Sequence, residues 1–259
     1  MTVAVVTGAS QGIGQATAIA LARQGADVVG TYRPEAGEDE RAQARETVAA
    51  VEALGRRCIL IEADAAQAAS ARSTAELAVS ELGGLDVWVN NAARLLVKPF
   101  LETDDDEWSA LLGSNLLGYV YGCRAAITQM LASGRGGRIV NVTSVAGLQP
   151  ITDLAAYCTA KGGVKALTQV LAVEFGSRGI AVNAVAPGAT DTPLNATAYT
   201  PQVRATYEAR IPLGRIAGAD EIASAVAFLA GDGARYVNGA ELVCDGGMIL
   251  NGSVGHARD

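Results

Sequence analysis

Short β-branched runs separated by longer Ala- and Leu-rich stretches of helical period constrain this chain more than any other feature. The runs lie near Val3–Thr7, Asp27–Thr31, Cys58–Glu62, Leu85–Asn90, Arg138–Val142, Ile180–Val185 and Glu241–Val243. Such alternation marks βαβ units, in which each crossover helix makes neighbouring strands parallel and covers one face of their sheet. The spacing therefore predicts an α/β chain with a doubly wound, seven-stranded parallel sheet and helices on both faces. A length of 259 residues suits one such unit, and no repeat or low-complexity linker divides it, so residues 1–259 are expected to form a single domain. Glu35–Leu54 mixes Glu, Arg and Ala as a solvent-facing crossover helix would. The longest irregular stretch is Pro187–Pro212, and loops of that length often bind or cover a ligand.

Composition narrows the function. Hydrophobic residues make up 50% and charged ones 18%, which supplies a large core and too little charge for a disordered chain. Lys and Arg number 20 against 27 Asp and Glu, and the net charge of −7 speaks against a nucleic-acid binder, which needs clustered positive charge. The opening MTVAVVTGAS lacks a basic flank and breaks at Gly8, so it reads as neither a signal peptide nor a span. No window approaches about 18 uninterrupted apolar residues, and no membrane partner is expected. Cys58, Cys123, Cys158 and Cys244 show no paired spacing, which fits reduced thiols and a cytoplasmic location. The one histidine, His256, falls in a polar tail; zinc sites and His-based triads are poorly supplied, and no metal is expected.

The first run leads straight into Thr7-Gly8-Ala9-Ser10-Gln11-Gly12-Ile13-Gly14 and an Ala-rich helix. Glycines at such a junction let the backbone approach a pyrophosphate, while the helix N-terminus offers free N–H groups and a positive dipole end. Two other readings stand beside this one. The turn can be tight for packing alone, and Gly8–Gly12 also spells the G-x-S-x-G nucleophile elbow of a hydrolase. A hydrolase would need an oxyanion N–H from an earlier strand's loop, yet this strand is the first.

Ser144 follows the run Arg138–Val142, and beyond it Tyr157 and Lys161 form an i, i+4 pair on one helix face. With these residues the chain resembles the short-chain dehydrogenase/reductase family over nearly its whole length. The matching pieces, in order, are Thr7–Gly14, Asp64, Asn90-Asn91-Ala92, Asn115, the Ser144/Tyr157/Lys161 set, Pro187-Gly188 with Thr192, and Asp245-Gly246-Gly247. One departure is Ala93, where the family usually has glycine. The resemblance implies a Rossmann-type fold and hydride transfer between a nicotinamide dinucleotide and a ketone or secondary alcohol.

A free tyrosine has a pKa of about 10, so Tyr157 needs a cation such as Lys161 beside it to exchange protons at neutral pH. Tyr157 is the candidate proton donor or acceptor, and Ser144 the group that orients the substrate oxygen. By resemblance, Lys161 also holds the nicotinamide ribose, and Asn115 fixes a water linking Lys161 to solvent. Gly8, Ser10, Gln11, Gly12, Ile13 and Gly14 would form the phosphate turn. By the same resemblance Asp64 would hold the adenine side, Asn90 and Ala92 line the cofactor, and Pro187, Gly188 and Thr192 meet the carboxamide. Asp64 could otherwise cap a helix, and Thr190 could bind or merely turn the chain. Tyr32 and Arg33 end the second run with no carboxylate beside them, and Arg33 can pair with a 2′-phosphate. NADP(H) is thus the expected cofactor and NAD(H) the alternative, since Gln11 is not basic and Glu35 is close.

The expected substrate walls are Leu95, Leu96, Val145–Gln149 and Thr192–Ile211, with Gln149, Asp153 and Asn195 as polar contacts. They suit a small carbonyl compound or alcohol. A 3-oxoacyl thioester reductase is the member most resembled, with Arg178 and Arg135 as contacts for an acidic carrier protein. A sugar or polyol dehydrogenase is the alternative, and a nucleotide-binding regulator without turnover the reading from another class. The intact Ser144/Tyr157/Lys161 set speaks against the regulator. The family's usual homotetramer would pair the helices around Asn115–Leu131 and Asp153–Ser177 across one interface and the C-terminal segments across another.

Overall fold

A computed structural model describes residues 2–35 and 37–251; His256 lies outside the described residues. The strands are β1 (Thr2–Val6), β2 (Ala26–Tyr32), β3 (Cys58–Glu62), β4 (Val87–Asn90), β5 (Gly137–Val142), β6 (Ile180–Pro187) and β7 (Glu241–Cys244). They form one sheet in the order β3-β2-β1-β4-β5-β6-β7, and every pairing is parallel. Every expected run became a strand; the five inner ones are largely buried on both faces and so apolar at nearly every position, while the edge strands β3 and β7 are only partly covered. The winding reverses between β1 and β4, so the loops leaving these two strands diverge and open a crevice at their C-terminal ends.

The helices are α1 (Gly12–Arg23), α2 (Glu38–Glu52), α3 (Ala68–Leu82), α4 (Asp105–Leu112), α5 (Gly118–Ser133), α6 (Ala155–Phe175), α7 (Pro201–Arg210) and α8 (Ala219–Ala230). On one face Leu21 and Ala22 of α1 and Ile222, Val226 and Leu229 of α8 pack on Val6, Val28, Val89 and Val140. On the other, Ala78 of α3, Cys123, Ala126 and Met130 of α5 and Ala172 of α6 cover Val5, Val29, Trp88, Ile139 and Val182. Neighbours such as Val5 and Val6 thus enter opposite cores, as the two-residue period of a strand requires. Small residues set the spacing. A Cβ on Gly30 of β2 would come within 2.8 Å of the Ala9 Cβ, so only glycine lets the first turn settle on the sheet.

The stretch 187–212 is not irregular throughout, because α7 lies within it. Thr200 caps α7 by accepting from Val203 N at 3.3 Å, and Pro201 takes the first helical position. None of its residues is buried, so it carries no apolar stripe for periodicity to reveal.

Candidate active site

The glycine-rich turn connects β1 to α1 at the point where the winding reverses. Gly8 and Gly12 hold φ of 68° and 57°, values that favour glycine. A Cβ on Gly14 would strike the Gly8 carbonyl, so the start of α1 can lie on the turn only without one. Asn91, after β4, locks the turn: its Nδ2 donates to Thr7 O at 2.9 Å and Gly8 O at 3.1 Å. Thr7 Oγ1 in return accepts from Asn91 N at 2.9 Å and Ala92 N at 3.0 Å. Gln11 makes no side-chain cap and no acidic residue occupies the first turn of α1, which leaves its N–H groups open to an anion. A backbone cradle that any Cβ would fill, at an open helix N-terminus, fits a dinucleotide pyrophosphate. The elbow reading fails on burial: Ser10 is 1% exposed and its hydroxyl donates to Glu40 Oε1 at 3.0 Å, so it is no exposed nucleophile.

Beneath the crevice a buried polar chain pins β4, β5 and α6. Trp88 Nε1 donates to Asn90 Oδ1 at 2.7 Å, Asn90 Nδ2 to Asn141 Oδ1 at 2.8 Å, and Asn141 Nδ2 to Thr168 Oγ1 at 2.9 Å. Asn90 and Asn141 are register partners, so the chain fixes where β4 and β5 end. Asn90, expected to line the cofactor, therefore has its side chain turned into the core.

A cavity of about 280 Å³ opens beside β5 and α6. Ser144, Tyr157 and Lys161 line it together, with Ile13, Pro187, Gly188, Thr190 and Thr192 around them. Ser144 Oγ accepts from Ala146 N at 3.1 Å. Lys161 is 1% exposed; its Nζ donates to Val142 O at 2.7 Å and to Tyr119 OH at 2.9 Å, and lies 5.7 Å from the Tyr157 ring centroid. Burial pulls the Lys161 ammonium down to about 7. Burial also pushes the Tyr157 phenol up to about 12, against the Ser144 hydroxyl, which pulls it down. In a site this dry both groups are driven towards their neutral forms, so the charge expected beside Tyr157 depends on what surrounds the Lys161 ammonium. Neutral Tyr157 is a proton donor as it stands.

Asn115 sits in a π-helical turn, Gly113–Leu117, between α4 and α5. Its Nδ2 donates to Arg94 O and its Oδ1 accepts from Arg94 N, both at 2.8 Å, so its side chain clamps the loop after β4. Asp64 Oδ1 accepts from Ala66 N at 2.9 Å, and the residue lines a cavity of about 20 Å³ with Thr31, Asn90 and Ala92. Thr190 Oγ1 donates to Gly188 O at 3.1 Å, turning the chain at the cavity wall. A Cβ on Gly188 would meet Asp245 Cβ at 2.6 Å, and one on Gly12 would meet Thr192 Cβ at 3.3 Å, so the loop after β6 closes over the glycine turn.

Leu95, Val145, Asn195, Tyr199 and Tyr207 line the cavity as expected, joined by Ile151. Leu96 instead packs with Trp108 and Leu111, and Asp153 is exposed, engaged through its carbonyl, which accepts from Lys98 N at 2.8 Å. Gln149 lies in an adjoining hollow, where Arg210 donates to it at 3.3 Å. Arg135 and Arg178 precede β5 and β6 and so stand at the far end of the sheet from Ser144, which removes them as carrier contacts beside this cavity. At the other end of the crevice, Arg33 Nε donates to Glu40 Oε2 at 2.8 Å. Glu40, on α2, is the carboxylate that the end of β2 lacks, brought there by folding.

No helix among the described residues is long and apolar enough to cross a membrane. The family profile described as enoyl-(acyl carrier protein) reductase matches residues 8–249. The chain is 40% identical over 247 residues to 3beta-hydroxysteroid dehydrogenase 1 of Eggerthella lenta, covering 95% of this chain and 93% of that one. It is 40% identical over 250 residues to the 3-oxoacyl-acyl-carrier-protein reductase of Pseudomonas aeruginosa, covering 96% and 98%. An L-rhamnose 1-dehydrogenase (NAD(P)+) of Sphingomonas sp. is 39% identical over 248 residues, covering 95% and 96%. Among solved structures, a blue fluorescent protein from a metagenomic library in complex with NADPH superposes with a TM-score of 0.88 at 36% identity, covering 95% and 97%.

Proposed function

The chain belongs to the short-chain dehydrogenase/reductase family, an oxidoreductase acting on CH–OH and C=O groups, and from that premise we propose that Tyr157, Lys161 and Ser144 carry its chemistry. The observation that supports this is the convergence of all three on one cavity beside the glycine turn. Ser144 holds the substrate oxygen. Tyr157 delivers its proton to that oxygen on reduction and takes it back on oxidation. Lys161, held at Val142 O, supplies positive charge next to Tyr157 when protonated, and Asn115 keeps the loop after β4 in place. The nicotinamide supplies or accepts the hydride. Gly8, Ser10, Gln11, Gly12, Ile13 and Gly14 carry its phosphates, Asp64 and Ala92 the adenosine side, and Pro187, Gly188, Thr190 and Thr192 the nicotinamide side.

The cavity favours a ketone or secondary alcohol on an apolar body, such as a 3-oxoacyl thioester, because Leu95, Val145, Ile151 and Met248, with the rings of Tyr199 and Tyr207, give its wall an apolar character. A sugar would find fewer polar partners on the apolar stretches of that wall, with Asn91, Thr152 and Asn195 among those it offers, and the sugar or polyol reading is the alternative. NADP(H) is the proposed cofactor on the strength of Arg33, with NAD(H) the alternative supported by Glu40. A homotetramer is proposed through the outer faces of α5 and α6, where Val170 and Val173 are 60% and 86% exposed.

The test follows NADPH absorbance with ketones, acyl thioesters and sugars. Apolar ketones should be reduced, and Tyr157→Phe should lower kcat by about 10²- to 10⁴-fold with NADPH affinity kept. Near-full turnover by that variant would end the assignment. NADPH binding without oxidation by any compound would point to the regulator.

A further inference from the structure

The side chain to which Lys161 donates a hydrogen bond is one that local sequence pattern did not single out. Tyr119 stands in the first turn of α5 and is 1% exposed. Its hydroxyl donates to the Val142 carbonyl at 2.9 Å and accepts from Lys161 Nζ at 2.9 Å, while Nζ donates to the same carbonyl at 2.7 Å. Nζ also lies 4.6 Å from the Tyr119 ring centroid, a cation–π distance. An ammonium has three N–H groups. Two are engaged by this triangle, and the third is left on the side where Lys161 and Tyr157 line the cavity together.

The titratable groups around Nζ are Tyr119 from α5, with Cys123 behind it, and Tyr157 from α6 itself. The end of β5 contributes only a carbonyl and the Ser144 hydroxyl, and among the described residues no carboxylate pairs with Lys161. We propose that Tyr119 is a positioning residue for Lys161: by donating to Val142 O it fixes an oxygen lone pair on the ammonium, supports the charged lysine, and turns the free N–H towards Tyr157. A water could do the same only at the cost of being immobilised; here the oxygen is built into the helix. Burial holds Tyr119 well above the usual phenol range, so it stays neutral and remains an acceptor. Burial also sets Lys161 near 7, where a single charge-assisted hydrogen bond decides how much of it is charged.

This inference rests on the Tyr157–Lys161 reading of the site, but its first test needs no turnover. The lysines of the chain are Lys98, Lys161 and Lys165, so ¹³Cε-lysine NMR resolves Lys161 once Lys161→Met has assigned its signal. Tyr119→Phe keeps the ring and removes only the hydroxyl. Its Lys161 titration midpoint should fall by about one pH unit, the size expected for losing one hydrogen bond to a charged group. With less ammonium beside Tyr157 above the lowered midpoint, kcat/KM for alcohol oxidation should fall as pH rises through the two midpoints and be kept at lower pH, where Lys161 is charged in both forms. Replacing Tyr119 by 3-fluorotyrosine, a weaker acceptor of nearly equal shape, should give a smaller shift in the same direction and serves if the Phe variant does not fold. An unmoved Lys161 midpoint, or a rate lowered equally at every pH, overturns the proposal. Full turnover by Tyr157→Phe would instead sink the site reading, while the NMR midpoint still judges the Tyr119 contact.

Discussion

Glu40 bears on the cofactor question beside Arg33, engaging only the Nε of its guanidinium. Its carboxylate is 11% exposed and takes both the Ser10 hydroxyl and Arg33 Nε, whereas Arg33 is 62% exposed and held on one side only. A 2′-phosphate arriving at Arg33 must displace this carboxylate or sit against its charge, while a ribose hydroxyl can donate to it. Glu40→Gln should therefore favour NADPH over NADH, raising the ratio of their affinities about tenfold, roughly the effect of one charge pair. Fluorescence titration with both reduced dinucleotides checks it, and an unchanged ratio means that the 2′ group lies elsewhere. Nothing local in the sequence marks this residue. Ser10 and Glu40 stand 30 positions apart, Lys161 and Tyr119 42, Asn91 and Thr7 84, and such contacts exist only once the sheet has assembled. The residues legible in advance, Gly8 to Gly14 and the Tyr157/Lys161 pair, are those whose chemistry is written in short spacing.

Among the elements, the inner strands were readable because burial on both faces demands largely apolar, β-branched-rich runs, and α7 was not, because nothing in it is buried. What holds α7 near the cavity is polar and aromatic: the paired guanidinium contacts of Arg204 with Asp191 at 3.1 and 2.9 Å, and Tyr207 against Tyr199 with ring centroids 5.2 Å apart. The guanidinium beside Asp191 holds its carboxyl below the usual carboxylate range, yet the pair is largely in solvent and salt screens it. Asp191→Asn should loosen α7 and raise KM for the carbonyl substrate roughly twofold to fivefold with kcat nearly kept. High salt should reproduce that change in the unaltered enzyme. An effect on kcat alone would show that α7 does more than form a wall.

For the molecule as a whole, the outer face of α6 bears on assembly. Val173 is 86% exposed on the helix that carries Tyr157 and Lys161 on its inner side, so a neighbouring subunit docked there would press on the catalytic helix from behind. If the proposed homotetramer uses this face, Val173→Glu should shift sedimentation to a smaller species and lower Tm, since a charge would be trapped in an apolar contact. An unchanged sedimentation coefficient would move the interface elsewhere. The thin attachment of α7 has a wider consequence. The residues proposed to handle the proton stand at the sheet, whereas α7 adds no buried residue and meets only a small separate apolar cluster, through Tyr207 on Val145, Ile211 and Met248. Exchanging residues 193–210 for the matching stretch of a relative should thus retune what is accepted while the chemistry stays put.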